Sequence, residues 1–323
     1  MKKRTKGFLI GAAITAGVAA IGTFYHATAK TLLKIALDRE EPKSIQKGKE
    51  KLMGSSELSD ILAKLVNAAG VLENAGCETV ECEAADGVRL VGHWYFPKNP
   101  KRIIVAMHGW RSSWSRDFGI ISPFWHENDC AVLYAEQRAQ GSSGGDYMGF
   151  GLLERYDCFR WIEWVNERTG AKLPIYLGGI SMGASTVLMT AGLNLPQNVH
   201  GIVADCGFTS ADAIWKHVVE NNLRLPYGLY SGITNEMCKR KLGTDHKEYS
   251  CLHAMKDCRV PVLFIHGTDD NFVPVDMTYE NYKACVAEKH LLIVPGADHG
   301  MSYLVDKAGY ENAVLEFFRL YDK

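Results

Sequence analysis

Two serines lie in the pattern G-x-S-x-G, in which glycines flank a serine that can act as a nucleophile. Ser181 follows the apolar run PIYLGG and precedes the helical pattern ASTVLMTAG, whereas Ser143 lies in the glycine-rich stretch QGSSGGDYM. A nucleophile elbow needs a strand, a sharp turn and a helix, because the strained turn exposes the hydroxyl at the helix N-terminus. We therefore predict that Ser181 is a nucleophile and that Ser143 belongs to a structural loop.

A serine needs a base to remove its proton, and the base is commonly a histidine held by a carboxylate. His299 lies in GADHG, directly after the apolar run HLLIVP, where a parallel sheet places its active site. His266 and His108 each precede a glycine at a strand end and are expected to shape turns. The sequence therefore predicts His299 as the base.

Three aspartates are candidates for the carboxylate that orients this histidine. Asp269 and Asp270 lie in HGTDDNFVP after the apolar run VPVLFI, and Asp205 follows the run GIVA. Strand-end context is compatible with all three, and Asp205 could equally cap the helix that starts near Phe208.

Eight segments of strand length alternate with helical patterns and would position these residues. In chain order they are TVECEA, VRLVGHWYF, RIIVAMH, CAVLYAE, PIYLGG, GIVADC, VPVLFIHG and HLLIVPG. The first two predict a hairpin around Asp86-Gly87, and the later runs suit a parallel sheet that is covered on both faces. The alternation predicts an α/β fold, preceded by a helix from Ser56 to Glu73.

The interval between GIVADCG and Val260 is too long for a plain crossover. It predicts a helical cap insertion at about residues 208–258. Trp215 and Val219 have roughly helical spacing there, and they are candidates for substrate contact, although packing against the sheet explains them equally well.

The motifs HGW, GISMG, HGTDDNFVP and GADHG, in this order over residues 80–323, resemble those of the α/β-hydrolase superfamily. They are similar to its serine aminopeptidase-like and acylglycerol-lipase-like branch, which includes small bacterial proteins with an N-terminal membrane anchor. The resemblance implies a mostly parallel eight-stranded sheet flanked by helices. It also implies that Asp270 is the acid and that the backbone N–H groups of Trp110 and Met182 form an oxyanion hole.

One motif departs from the family pattern. The family often has D-x-R-G-H-G-x-S after the fourth strand, whereas this chain has EQRAQGSS at residues 136–143. The departure leaves the predicted triad untouched. It also indicates that the G-x-S-x-G pattern around Ser143 is part of a structural loop.

These residues predict a serine hydrolase that cleaves carboxylic esters through an acyl-enzyme, without a metal or an organic cofactor. A serine peptidase or aminopeptidase of the same fold is an alternative. No acidic cluster in the cap clearly marks an amine site, although Glu220, Glu236 and Asp245 are available. A catalytically inactive, membrane-tethered binding module is a third hypothesis, and the complete set of triad residues argues against it.

The N-terminus predicts a membrane segment over residues 1–29. Four basic residues within the first six precede an uncharged stretch from Gly7 to Tyr25, which is long enough to span a hydrocarbon core. A secretory signal peptide is the alternative, since Ala27-Thr28-Ala29 offers a cleavage motif, but its apolar region is usually shorter. Basic residues on both flanks leave the side of the membrane open.

The remaining chain divides into a charged connector and helix at residues 30–79 and a hydrolase domain at residues 80–323. The net charge is −1, and the body of the chain has no long basic stripe, which argues against a nucleic-acid partner. Nine cysteines with irregular spacing and no C-x-x-C argue against a zinc site or a disulfide framework. The expected partners are a small acyl ester or short peptide and, through the N-terminus, a membrane.

Overall fold

The structure is a computed structural model that describes residues 23–40 and 56–322. Eight strands form one sheet: β1 (Glu78–Glu83), β2 (Arg89–Tyr95), β3 (Arg102–Met107), β4 (Cys130–Glu136), β5 (Ile175–Ile180), β6 (Val199–Asp205), β7 (Val262–Gly267) and β8 (Lys289–Val294). Their order is β1-β2-β4-β3-β5-β6-β7-β8. The pairs β1–β2 and β2–β4 are antiparallel and the other five are parallel. The predicted mostly parallel, eight-stranded α/β-hydrolase sheet is thus confirmed.

The helices, in chain order, are α1 (residues 23–37), α2 (Ser56–Glu73), α3 (Trp114–Phe118), α4 (Ser122–Glu127), α5 (Glu154–Thr169), α6 (Met182–Thr190), α7 (Ala211–His217), α8 (Ser231–Leu242), α9 (Cys251–Asp257), α10 (Val275–Ala284), α11 (Ser302–Val305) and α12 (Lys307–Tyr321). Along β3, Ile103 and Val105 pack into one buried apolar cluster, and Ile104 and Ala106 pack into another. Successive side chains of a strand point to opposite faces, so helices cover the sheet on both sides.

A cap lies between β6 and α9. It consists of α7, a π-helical turn at Val218–Asn222, a 3-10 turn at Tyr227–Leu229, and α8. The long interval before Val260 therefore holds helical structure, as its length and periodicity indicated. All nine cysteines are free thiols.

Helix α1 runs across a predicted boundary. The sequence pattern predicted an N-terminal segment that ends at residue 29 and a charged connector that starts at residue 30. In α1, Ala29, Leu33 and Leu37 are buried in the same apolar cluster as Ile103, whereas Lys30 and Lys34 are exposed. The lysines that suggested a connector occupy the outer face of an amphipathic helix.

Most of the predicted membrane segment, residues 1–22, lies outside the described residues. Among the helices in residues 23–40 and 56–322, none is both long and apolar enough to cross a membrane. The predicted cleavage motif Ala27-Thr28-Ala29 lies within α1, so cleavage after Ala29 would remove the first two turns of this helix.

Candidate active site

The turn between β5 and α6 holds Ser181 in a strained conformation. Its φ of 55° and ψ of −116° lie outside the regions that a serine normally adopts, and α6 begins at the next residue. A Cβ atom added to Gly179 would lie 2.3 Å from the carbonyl oxygen of Gly183, and one added to Gly183 would lie 1.8 Å from that of Met107. Both glycines are therefore required for the close approach of strand, turn and helix.

The structure brings Ser181, His299 and Asp270 together. Nε2 of His299 lies 2.9 Å from Oγ of Ser181, and its Nδ1 lies 2.7 Å from Oδ2 of Asp270. These side chains come from the ends of β5, β7 and β8, which are adjacent or near in the sheet. A hydroxyl, an imidazole and a carboxylate that are hydrogen-bonded in this order can activate the hydroxyl oxygen as a nucleophile.

The carboxylate of Asp270 has two hydrogen-bond donors at each oxygen. Oδ1 accepts the backbone N–H groups of Phe272 and Val273 at 2.9 and 2.8 Å, and Oδ2 accepts from His299 and from His266, whose Nε2 lies at 3.1 Å. Burial opposes ionisation of Asp270, but these donors outweigh it and hold the pKa of the carboxyl well below its usual range. The negative charge is therefore retained where the imidazole of His299 needs it.

His266 belongs to the site, although its position before a glycine predicted that it would only shape a turn. Its Nε2 also lies 2.9 Å from the carbonyl oxygen of Val273, and its Nδ1 lies 2.7 Å from Oγ1 of Thr278. Both neighbours of Nε2 are acceptors, so this nitrogen carries a proton and donates to Asp270, while the Thr278 hydroxyl donates to Nδ1. The sequence signal that could have indicated this contact is the spacing of four residues between His266 and Asp270 in HGTDD.

The other candidates for nucleophile and acid have different surroundings. Ser143 is fully buried, donates its hydroxyl to the carbonyl oxygen of Glu136 at 2.6 Å and accepts from the N–H of Val91 at 2.8 Å. Asp269 is exposed and accepts from Thr268. Asp205 is buried, and its Oδ1 lies 3.3 Å from the Ser302 hydroxyl. None of these three side chains is hydrogen-bonded to His299 among the contacts of the described residues.

The two residues predicted to form an oxyanion hole lie beside Ser181. Met182 is the first residue of α6, so its N–H has no acceptor within the helix. Gly109, at the turn after β3, is so close to the nucleophile that an added Cβ would lie 3.4 Å from Cβ of Ser181. Trp110 follows it and lines the same cavity as Ser181 and Met182.

A cavity of about 320 Å³ opens at Ser181, and its lining is almost entirely apolar. One wall comes from the cap and includes the predicted contact residues Trp215 and Val219. Another part of the lining comes from α1, which contributes Ala29, Leu32, Leu33, Ile35 and Ala36. The contribution of α1 was not expected from the sequence.

Comparison with known proteins places this site in a family. A model of the prolyl oligopeptidase family, Peptidase S9, matches residues 118–321, which is more than half of the chain. The chain belongs to the prolyl oligopeptidase family.

Relatives and solved structures agree with this fold. The uncharacterized protein YqkD of Bacillus subtilis is 28% identical over 238 residues, which are 72% of this chain and 76% of YqkD. The esterase Pf2001 of Pyrococcus furiosus is 23% identical, with a TM-score of 0.63, covering 76% of this chain and 92% of the esterase. The uncomplexed acylaminoacyl peptidase of Pyrococcus horikoshii is 18% identical, with a TM-score of 0.53, covering 75% of this chain and 41% of the peptidase. At these identities the two solved structures show a shared fold.

One group of possible metal-binding side chains overlaps the triad of this prolyl oligopeptidase family member. Cys206, Asp270 and His299 offer ligand atoms within 4.8 Å of one another. Burial raises the pKa of the Cys206 thiol well above its usual value, so the thiol stays protonated, and a metal ligand would have to be a thiolate. Asp270 is already saturated by four donors. The arrangement therefore suits proton transfer better than metal coordination.

Proposed function

We propose that this protein is a serine hydrolase that cleaves carboxylic esters through an acyl-enzyme intermediate. The observation that carries the proposal is the hydrogen-bonded series from Ser181 through His299 to Asp270, with Ser181 in the lining of an apolar cavity. A hydrocarbon acyl chain matches that lining, because the cavity offers few polar groups that could bind a peptide backbone.

In the proposed reaction, Oγ of Ser181 attacks the ester carbonyl while Nε2 of His299 takes the hydroxyl proton. The N–H groups of Trp110 and Met182 stabilise the oxyanion of the tetrahedral intermediate. The imidazolium returns its proton to the departing alcohol, which leaves an acyl group on Ser181. Water then gives a proton to His299 and attacks the acyl-enzyme, and the imidazolium returns that proton to Oγ of Ser181 as the carboxylic acid leaves.

Peptide hydrolysis is the second candidate function, and membership in the prolyl oligopeptidase family favours it. An aminopeptidase must bind a substrate ammonium group with a carboxylate or a comparable acceptor. The cap acids proposed from the sequence do not line the cavity: Glu220 is exposed, Glu236 pairs with Arg240, and Asp245 lies 3.6 Å from Lys239. These positions favour the ester over the amino-terminal peptide.

The experiment that tests the proposal compares p-nitrophenyl esters of acetate, butyrate and decanoate with aminoacyl and acylaminoacyl p-nitroanilides. We expect kcat/KM to be higher for esters, and highest for an ester whose acyl chain fills the cavity. Faster cleavage of the anilides would instead favour the peptidase. Lack of turnover on both sets, with no labelling by a fluorophosphonate, would favour the inactive binding module.

We also propose that the uncharged stretch from Gly7 to Tyr25, most of which lies before residue 23, tethers the protein to a membrane. The proposal is supported by four basic residues followed by an uncharged stretch of spanning length. Because α1 follows most of this stretch in the chain and lines the apolar cavity, a substrate that partitions into lipid would suit such a protein.

A further inference from the structure

Helix α1 is amphipathic, and its buried face belongs to the active-site cavity. Ala29, Leu33 and Leu37, which are four residues apart, are no more than 4% exposed. Lys30 and Lys34 lie on the opposite, exposed face. Residues at this spacing share one face of a helix, so α1 presents an apolar stripe to the hydrolase domain.

The C-terminal end of α1 is fixed beside the reaction centre by hydrogen bonds. The indole N–H of Trp110 donates to the carbonyl oxygen of Ala36 at 2.8 Å, and the guanidinium of Arg111 donates to that of Ile35 at 2.8 Å. The N–H of Met148 donates to the carbonyl oxygen of Leu37 at 2.7 Å. Lys241 in α8 pairs with Asp38 at 2.6 Å, so the cap also holds this end.

Both ends of α1 contribute to the lining of the cavity. Ala29 and Ala36 both line the cavity and are seven residues apart, which is about 10 Å along a helix axis. Ala36 is tied to Trp110, next to the glycine that contacts Ser181, whereas the start of α1 packs Tyr25 against Tyr230 of the cap, with ring centroids 5.3 Å apart. The cavity therefore extends along α1, and the end at Ala36 is the one tied to the loop beside Ser181.

We propose that α1 is a specificity-determining wall of the acyl pocket and that the substrates are esters of unbranched aliphatic acids. In this arrangement the acyl chain leaves the carbon bound to Ser181 beside Ala36 and runs between α1 and the cap toward Ala29. Side chains near Ala29 then set the longest chain that fits. The proposal rests on the proposed esterase function and adds the substrate class and the element that selects it.

A pair of matched substitutions on the same helix tests this wall. Ala29→Trp places a large side chain into the far end of the cavity, and Ala27→Trp places the same side chain on the exposed face. The measurement is the ratio of kcat/KM for p-nitrophenyl decanoate to that for p-nitrophenyl acetate. We expect Ala29→Trp to lower this ratio by at least roughly tenfold, since hydrophobic pockets discriminate by this amount or more for small changes in size. Ala27→Trp should leave the ratio at its wild-type value.

A third variant separates loss of space from loss of the folded helix. Leu32→Ala removes side-chain volume from the same wall without adding bulk, and we expect it to raise the ratio of palmitate to decanoate hydrolysis. If Ala29→Trp and Leu32→Ala both keep the wild-type ratios, α1 does not contact the acyl chain and the inference is overturned. If wild-type protein hydrolyses no ester, including acetate, the proposed function itself fails.

Discussion

At the scale of single residues, the carboxylate of Asp270 determines how His299 is oriented. Its four donors come from two histidines and two backbone N–H groups, which leaves the side chain no free acceptor position in the plane of the carboxylate. Nδ1 of His299 therefore carries the proton that faces Asp270, and Nε2 is left to accept the proton of Ser181.

We expect Asp270→Asn to lower kcat for ester hydrolysis by about a thousandfold or more, because an amide at this position favours the wrong imidazole tautomer. Asp269→Asn is the matched control, since the neighbouring carboxylate is exposed and accepts the hydroxyl of Thr268. Steady-state kinetics on p-nitrophenyl butyrate provide the measurement. Comparable losses in both variants would show that the loop, and not the carboxylate of Asp270, is required.

Asp205 gives a prediction about stability. Burial raises the pKa of its carboxyl to about 6, although hydrogen bonds and the nearby histidines oppose the shift. Because the folded state holds this proton more tightly than the unfolded state, the associated stability is present below about pH 4 and is lost as the pH rises through about 6.

Asp205→Asn removes this ionisation. As pH rises, the difference in free energy of unfolding between the two proteins should therefore shift in favour of the variant. The expected relative gain between about pH 4 and about pH 8 is about 3 kcal/mol, measured by urea denaturation. The variant should retain ester hydrolysis. A variant as inactive as the one lacking Ser181 would instead identify Asp205 as the acid.

Strand-end context was sufficient to predict that Ser181 and His299 meet at this site, because each follows an apolar strand run and parallel strands end at one edge of the sheet. This context left three aspartates open as the acid, and the resemblance to a known family chose among them. Strand-end context was not sufficient for His266, whose partners Thr278 and Val273 become neighbours only when the loop after β7 folds back. A histidine before a glycine has a simple explanation as a turn residue, and that explanation hid its contact with Asp270.

At the scale of elements, the elbow depends on a close contact between α6 and the end of β3. An alanine at position 183 would place its Cβ against the carbonyl oxygen of Met107, a backbone atom that cannot move without disturbing the sheet. We expect Gly183→Ala to lower the free energy of unfolding by at least about 2 kcal/mol and to abolish ester hydrolysis.

Gly70→Ala is the matched control for this substitution. Gly70 lies within α2 and has nothing within 4 Å of an added Cβ, so alanine there should stabilise the protein by about 0.5–1 kcal/mol through its higher helix propensity. Urea denaturation monitored by circular dichroism measures both variants. Wild-type stability in Gly183→Ala would mean that α6 and β3 are not in contact.

Elements with a strong local pattern were predictable, including the eight strands and helix α2 from Ser56 to Glu73. Helix α1 was missed as a part of the domain for a physical reason. Its exposed face carries Lys30 and Lys34, and the helix directly follows an uncharged stretch in the chain. The sequence pattern therefore resembled a membrane tether followed by a charged connector. Only packing against the cap and Trp110 distinguishes it from them.

At the scale of the whole molecule, the pocket wall follows directly after the proposed membrane tether. A chain that starts at Thr23 keeps α1, whereas a chain that starts at Ser56 lacks it. We expect the first truncation to lose membrane association and to keep ester hydrolysis, because its cavity is complete. The second should lose decanoate hydrolysis as well, since one side of the cavity is removed.

Fractionation of cells that express the full chain and each truncation, followed by ester assays, measures both properties. Full membrane association of the chain that starts at Thr23 would contradict the proposed tether and would assign binding to another surface. Equal decanoate activity in the two truncations would show that α1 contributes nothing to the cavity.

The most direct test of the central claim is a comparison of the two serines in G-x-S-x-G patterns. Ser181→Ala should lower kcat for ester hydrolysis by about a millionfold and abolish labelling by a fluorophosphonate, because Oγ of Ser181 is the proposed nucleophile. Ser143→Ala removes the same hydroxyl from a buried loop and should leave the folded protein labelled and active. Full activity and labelling in Ser181→Ala, with neither in folded Ser143→Ala, would contradict the account.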